Sequence, residues 1–412
     1  MLGRVSRRSF LHGLGFGGLG ALLVACTPPA AEPTKPAPTA AGEQPTSAPA
    51  TAAPVPTTGE EIEVEFVMND SPGWADALNA VMAMFTDKHP NIKPKFTPVE
   101  WNEIKTVVTP RFAAGDPPAT LLCDSFWPWV EQRLILDMNP FIDRDKVDLS
   151  LIADLGAGKL FGDPARYGLP FDFTGSVVAY NKTLCEKYGV EVPKKGWTTD
   201  DLRAAAIKLT RDQDDRSPAD AGFDPKNIKV YGLQLANMFF WGALVNLFGG
   251  RWWSEDGKTC LIDEAKAMDA FLYFNRLACE DHALYGPQPS AGPADTFVSQ
   301  QVAITIEGEW MLGLWKDIAD FDWDVAAWPK GREEWQYGGS DAVGIAKGYK
   351  HPDAAWEFVK FWIFDKDAAT ITGAIMPPAL NEAGLSEDVL KPRLGQRGPT
   401  MENMLWASTN MR

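Results

Sequence analysis

Cysteine, histidine and surplus positive charge are all scarce in this 412-residue chain. Its five cysteines and four histidines form no C-x-x-C pair and no H-E-x-x-H, so a zinc site or a thioredoxin-like dithiol lacks the spacing it needs. G-x-S-x-G and the Walker A sequence are missing as well. His12 falls in an N-terminal leader, His89 and His351 each precede a proline at a predicted helix end, and His282 stands alone. No histidine-based nucleophile or acid–base pair is therefore in view. With 39 Lys and Arg against 55 Asp and Glu, the formal charge is -16, the wrong sign for a nucleic-acid binder that must release counterions from phosphates. No apolar run reaches the roughly 20 residues that a membrane span requires. The apolar fraction of 45% and charged fraction of 23% are those of an ordinary globular protein, and the length exceeds what one core usually supports, so two lobes are expected.

What the chain has in excess is tryptophan, sixteen in all, a large rigid ring with one donor, suited both to cores and to stacking on a ligand face. It also has a recognisable beginning. Ser6-Arg7-Arg8-Ser9-Phe10-Leu11 forms a twin-arginine export pattern, followed by a Gly-rich, weakly apolar stretch from Gly13 to Val24. Leu23-Val24-Ala25-Cys26 resembles the bacterial lipoprotein signal, in which the cysteine is lipidated and becomes the new N-terminus. Residues 1–26 are thus read as a removable signal ending at a lipidated Cys26. Residues 27–59 are rich in Pro, Ala and Thr and nearly free of large apolar side chains. Such a tract cannot build a core and reads as a semi-rigid tether. Of the remaining Cys123, Cys185, Cys260 and Cys279, only Cys260 and Cys279 are close enough in sequence to consider as a disulfide, and buried free thiols are the favoured state.

Beyond the tether, periodicity predicts alternating strands and helices. Ile62, Val64, Phe66 and Met68 alternate with other residues as a strand does. Trp74, Leu78, Val81, Met82 and Phe85 follow at helical spacing up to His89-Pro90, and Ile92 to Val99 reads as a second strand. A helix around Trp101 to Phe112, a turn at Gly115-Asp116-Pro117-Pro118 and a short strand from Ala119 to Cys123 come next. Thr198-Thr199-Asp200-Asp201 has the form of a helix start, Asp263 is a candidate cap for the helix carrying Ala267, Phe271, Phe274 and Ala278, and His351-Pro352-Asp353 leads a helix with Ala355, Phe358, Val359 and Trp362. The result is an α/β sandwich without a fixed repeat.

Six ordered segments resemble the family 1 extracellular solute-binding proteins of bacterial ABC importers, maltose-binding-protein-like sugar binders. They are Gly115 to Leu122; Tyr167-Gly168-Leu169-Pro170-Phe171-Asp172 with Tyr180-Asn181-Lys182-Thr183-Leu184; Gly189 to Pro193 with Trp197-Thr198; Gly249-Gly250-Arg251; Gln300 to Trp310, including Gly308-Glu309-Trp310; and Gly338-Gly339 through Gly344-Ile345 to His351–Phe358. The resemblance implies a two-lobed type II periplasmic-binding-protein fold with discontinuous lobes, residues 60–171 plus 305–348 forming the first and 172–304 plus 349–412 the second. Crossings are expected near Pro170 to Asp172, Ile304 to Gly308 and Ala346 to Tyr349. Family members carry further helices past the segment resembled by Thr400 to Asn403, whereas this chain ends at Arg412, so the expectation is either a truncated chain or a reduced second lobe.

The function so implied is binding of a sugar or oligosaccharide between the lobes and its delivery, on lobe closure, to the permease subunits of an importer. No chemistry and no cofactor or metal are expected. The protein would be a monomer held on the outer face of the membrane by its lipid, without a nucleic-acid partner. A sugar cleft needs aromatic plates for the apolar ring faces and short polar groups for the hydroxyls. Residues of these types at strand ends or crossings are Asp70, Trp74, Asp124, Ser125, Trp127, Asp172, Phe173, Asn237, Phe240, Trp241, Trp310, Ser340 and Asp341. The bland reading of each Asp is a cap or turn former, and of each Trp a core residue; Trp252, Trp253, Trp323 and Trp356 are assigned to packing. Two alternatives remain open: a secreted carbohydrate-active enzyme using paired carboxylates, and a binder of a cationic ligand such as a polyamine on the same fold.

Overall fold

A computed structural model describes residues 61–69, 73–122, 127–160, 162–236, 240–286 and 293–409. In chain order the strands are β1 (Ile62–Asn69), β2 (Ile92–Val99), β3 (Thr120–Leu122), β4 (Leu169–Pro170), β5 (Thr174–Asn181), β6 (Arg211–Asp212), β7 (Ile228–Leu235), β8 (Val302–Gly308), β9 (Trp323–Ala326), β10 (Gly338–Gly339) and β11 (Ala342–Ile345). The helices that carry the argument are α1 (Trp74–Lys88), α2 (Ile104–Ala114), α3 (Thr199–Leu209), α4 (Trp241–Leu247), α5 (Ala265–Cys279), α6 (Pro352–Phe364), α7 (Lys366–Gly373) and α8 (Met401–Thr409).

Two sheets organise two lobes. The first has the order β2-β1-β3-β11-β4, with β1 parallel to β2 and β3, and β11 antiparallel to β3 and β4. Its core gathers Val64, Phe66, Leu78, Phe85, Leu121, Trp129, Val343, Phe358 and Trp362. Trp362 of α6 is the keystone: its ring stacks on Phe171 at 4.7 Å, meets Phe66 edge-on at 5.0 Å, and its Nε1 donates to Thr372 Oγ1 at 3.3 Å. The second sheet runs β10-β5-β8-β7-β6, with β9 also on β5. All eight residues of β5 and all seven of β8 are buried, as strands covered on both faces must be.

Local chemistry explains some element ends. Gly115 stops α2 with φ 73, a left-handed conformation that favours glycine. Helix α3 begins in a capping box, Thr198 Oγ1 accepting from Asp201 N at 3.2 Å while Asp201 Oδ2 accepts from Thr198 N at 2.8 Å. The start of α5 differs from expectation: Glu264, not Asp263, precedes it, without a side-chain cap.

The chain passes between the sheets three times. The first passage is Phe171 to Phe173, between β4 and β5; the second is Ser340-Asp341, between β10 and β11; the third separates Ala383, in the first core, from Val389, in a core of the second lobe. The first passage is bonded to the second and to residues 377–379, which lead toward the third. Phe171 N donates to Asp341 O at 3.1 Å, Asp341 N to Asp172 Oδ1 at 2.7 Å, Phe173 N to Pro377 O at 2.6 Å and Ala379 N to Phe171 O at 3.1 Å.

This corrects the expected division. Residues 305–341 belong with the second sheet, not the first lobe, because β8 is an interior strand flanked by β5 and β7 along its length and cannot leave the sheet at Ile304 to Gly308. Residues 349–383 belong with the first lobe, because α6 and α7 cover its sheet with Trp356, Phe358, Trp362, Ala368 and Ala369. The last passage therefore follows Ala383 instead of falling at Ala346 to Tyr349.

Candidate ligand-binding cleft

Trp310 is half-buried and packs against the cores of both lobes. Its position follows from the two residues before it. Gly308 ends β8, and a Cβ there would lie 2.2 Å from the Trp310 ring, so only glycine lets the indole fold back over the sheet. Glu309 then opens the 3-10 turn Glu309–Met311. Phe240 stacks on Trp310 at 6.2 Å and meets Tyr337 at 5.5 Å and Trp328 at 6.2 Å edge-on. These spacings are those of favourable aromatic pairs.

Short polar groups lie on the same side of the second sheet. Ser176 is opposite Gly308 in the β5–β8 register, and Thr174 is two residues away on the same face of β5. The hydroxyls of Thr174, Ser176 and Ser340 are buried without a hydrogen-bond partner among the described residues. Burying an unpaired hydroxyl is unfavourable, so these groups are suited to an incoming hydroxyl or a bridging water. Sequence reasoning singled out Ser340 and missed Thr174, Ser176 and Tyr337. Nothing in their residue types marks them; only the register places them beside Gly308 and the second passage.

The other candidates divide by place. Trp74 lies in the first core, 3% exposed, edge-on to Phe171 at 6.1 Å and Trp362 at 6.5 Å; it packs the lobe and offers no free face. Phe240 is fully buried and acts as a support behind Trp310. Asp172 is 1% exposed, and its Oδ1 braces the first passage to the second. Phe173 is half-buried against the second lobe, and Asp341 is half-buried in the second passage. Trp241, half-buried at the start of α4, stacks on Phe271 at 5.0 Å and meets Phe274 edge-on at 5.5 Å. Asp70, Asp124, Ser125 and Asn237 lie outside the described residues, as do Cys26 and the side chain of Trp127. The strands β1, β3 and β7 end one or two residues before Asp70, Asp124 and Asn237, at Asn69, Leu122 and Leu235.

Of the assigned packing residues, Trp323 and Trp356 are buried, whereas Trp253 is 53% exposed. Cys185 is buried, with its thiol pushed up to about 11 by desolvation, and Cys260 and Cys279 are exposed free thiols. A separate cavity of about 140 Å³ at the β9 side of the second lobe is lined by Trp197, Trp328, Trp335, Gln336 and Trp406; the Trp328 ring links it to Phe240. Among the described residues no group of three or more His, Cys, Asp and Glu is arranged to hold a metal, and no helix is long and apolar enough to cross a membrane.

Two α/β lobes joined by three passages, with an aromatic plate touching both cores, define the class of two-lobe binding proteins. Residues 71–369 match the family model described as "Bacterial extracellular solute-binding protein". The chain belongs to that family. It is 26% identical over 272 residues to the maltotriose-binding protein of Pyrococcus abyssi, covering 63% of this chain and 54% of that one. It is 24% identical over 257 residues to an ABC transporter extracellular-binding protein of Pyrococcus horikoshii, covering 59% and 54%; the match thus spans about half the length of these two relatives. Among solved structures, an ABC substrate-binding protein of Listeria monocytogenes in complex with cycloalternan superposes with a TM-score of 0.73 at 24% identity, covering 86% of this chain and 88% of that one. The maltose/maltodextrin-binding domain of Bdellovibrio bacteriovorus bound to maltotriose gives 0.66 at 17% identity, with 85% and 87% covered. The two-lobed periplasmic-binding-protein fold expected from the sequence is the one observed.

Proposed function

We propose that this protein is the extracytoplasmic solute-binding component of an ABC importer and takes a sugar or oligosaccharide between its lobes. The observation that carries this reading is Trp310, an aromatic plate packed against both cores, beside hydroxyls on β5 and the second passage that have no partner among the described residues. Aromatic faces cover the apolar faces of pyranose rings, and short hydroxyls exchange hydrogen bonds with sugar hydroxyls. The relatives' names favour the same chemistry: one binds maltotriose, and structural neighbours hold cycloalternan and maltotriose. The thirteen sequence candidates remain proposals in this frame, Trp310, Trp241, Ser340 and Asp341 as cleft residues and Trp74 and Phe240 as supports behind it. The chain works as a monomer, and its lipidated Cys26 and tether hold it near the permease.

Titration calorimetry with maltotriose, other saccharides and spermidine, followed by chromatography of the same samples, tests the reading. Saturable one-to-one binding of a saccharide with no products supports it. Turnover would assign the protein to the carbohydrate-active enzymes, and binding of spermidine alone would move it to cationic ligands. Anchoring has its own test: Cys26→Ser yields folded protein in the soluble fraction, and continued membrane partition contradicts the lipid anchor.

A further inference from the structure

Glu309, next to Trp310 in the chain, is fully buried, and so is the side chain of Arg393, which reaches it from the segment that follows the third passage. The Arg393 guanidinium donates through Nη2 to the main-chain carbonyl of Glu309 at 2.8 Å, and its Nη1 lies 3.6 Å from Glu309 Oε2. The remaining polar atoms of the pair, both carboxylate oxygens together with Nε and Nη1, have no hydrogen-bond partner among the described residues. A buried pair so poorly satisfied is a weak source of stability, because two ions leave water and recover little; apolar residues of the same volume usually do as well or better. What the pair does supply is geometry. The carbonyl it grips belongs to the peptide joining Glu309 to Trp310, so the bond fixes the orientation of that peptide and with it the direction in which the indole leaves the chain.

We infer that Glu309 and Arg393 are positioning residues that hold Trp310 in register between the lobes and tie that register to the chain returning through the third passage. Three constraints then converge on one ring: Gly308 admits it from below, Phe240 backs it, and Arg393 sets the peptide from which it hangs. Burial pushes the Glu309 carboxyl up and the Arg393 guanidinium down, each opposed by the other's charge, which agrees with a pair held together by geometry at an electrostatic cost. The consequence for binding rests on the sugar-binding reading above; the consequence for the ring itself does not.

The test uses the full-length protein labelled with 5-fluorotryptophan, with the Trp310 resonance assigned by its loss in Trp310→Phe. In E309Q/R393M, which removes both charges and the grip on the carbonyl, the Trp310 fluorine signal shifts or splits while the urea midpoint holds or rises. Maltotriose affinity, read by calorimetry, falls about tenfold, the scale of coupling between neighbouring side chains. R393K keeps the charge opposite Glu309 but loses the planar fork; it secures the test if the double variant does not fold, and an intermediate fluorine shift is expected. An unchanged Trp310 signal in the folded variants would overturn the inference, whatever the ligand results. Absence of maltotriose binding by the unsubstituted protein would instead count against the sugar reading, with the fluorine measurement still deciding the positioning role.

Discussion

At the residue scale, the roles of Trp310 and Trp241 differ in what holds them. Trp310 is fixed by glycine, phenylalanine and a buried arginine, whereas Trp241 rests on Phe271 and Phe274 at the start of α4. If the proposed sugar-binding reading holds, Trp241→Ala should weaken the preferred saccharide by about 1–3 kcal/mol, the scale of an aromatic anchor, with little change in the urea midpoint; equal affinity in calorimetry would count against Trp241 as a cleft residue. Glu307 makes a pH prediction. Desolvation pushes its carboxyl up to about 7, although Gly308 N donates to it at 2.8 Å. Between the ordinary carboxylate range and about 7 the folded state binds more protons than the unfolded one, so this group makes stability fall as pH rises through that window. Glu307→Gln removes that slope and should raise stability at pH 8 by up to about 3 kcal/mol. Urea titrations at pH 5 and pH 8 check it, and a larger gain at pH 5 would contradict the burial of an ionisable carboxyl. Neither the buried Glu307 nor the Glu309–Arg393 pair was legible in sequence, because acidic residues are common in this chain and only the sheet shows which ones face inward.

Elements with their own periodicity and caps were readable. The alternation of Ile62 to Met68 becomes β1, the stripe from Trp74 to Phe85 becomes α1, and Thr198 to Asp201 becomes the capping box of α3. Lobe membership beyond β7 was not, since it depends on partners distant in sequence: β8 looks like a strand end leading to a crossing, but its neighbours β5 and β7 keep it in the second sheet. In the same way α6 returns to the first lobe because Trp362 finds Phe66 and Phe171 there. Trp362→Ala should cost about 3–5 kcal/mol, as for a large buried aromatic, and should be seen as a lower urea midpoint. A loss under about 1 kcal/mol would mean that α6 is not held by this ring.

For the whole molecule, the three passages set the mechanics. Phe171 to Phe173 lies between Pro377 to Ala379 on one side and Ser340-Asp341 on the other, joined by backbone bonds and by Asp172 Oδ1. On the proposed sugar-binding reading, groups from both lobes act on a ligand together only when the lobes close, so ligand would shift the population toward the closed form, and the affinity would be closed-state affinity reduced by the cost of closing. Family membership could be read from six short segments in order, and the crossing expected near Pro170 to Asp172 lies at the first passage; the later passages could not be read, because they are defined by which sheet each flanking strand joins. Small-angle X-ray scattering of the protein with and without saturating maltotriose, binding being confirmed by calorimetry in the same samples, tests the closing of two lobes over a sugar most directly. A smaller radius of gyration in the saturated sample is the predicted result; an unchanged radius at full occupancy would contradict it.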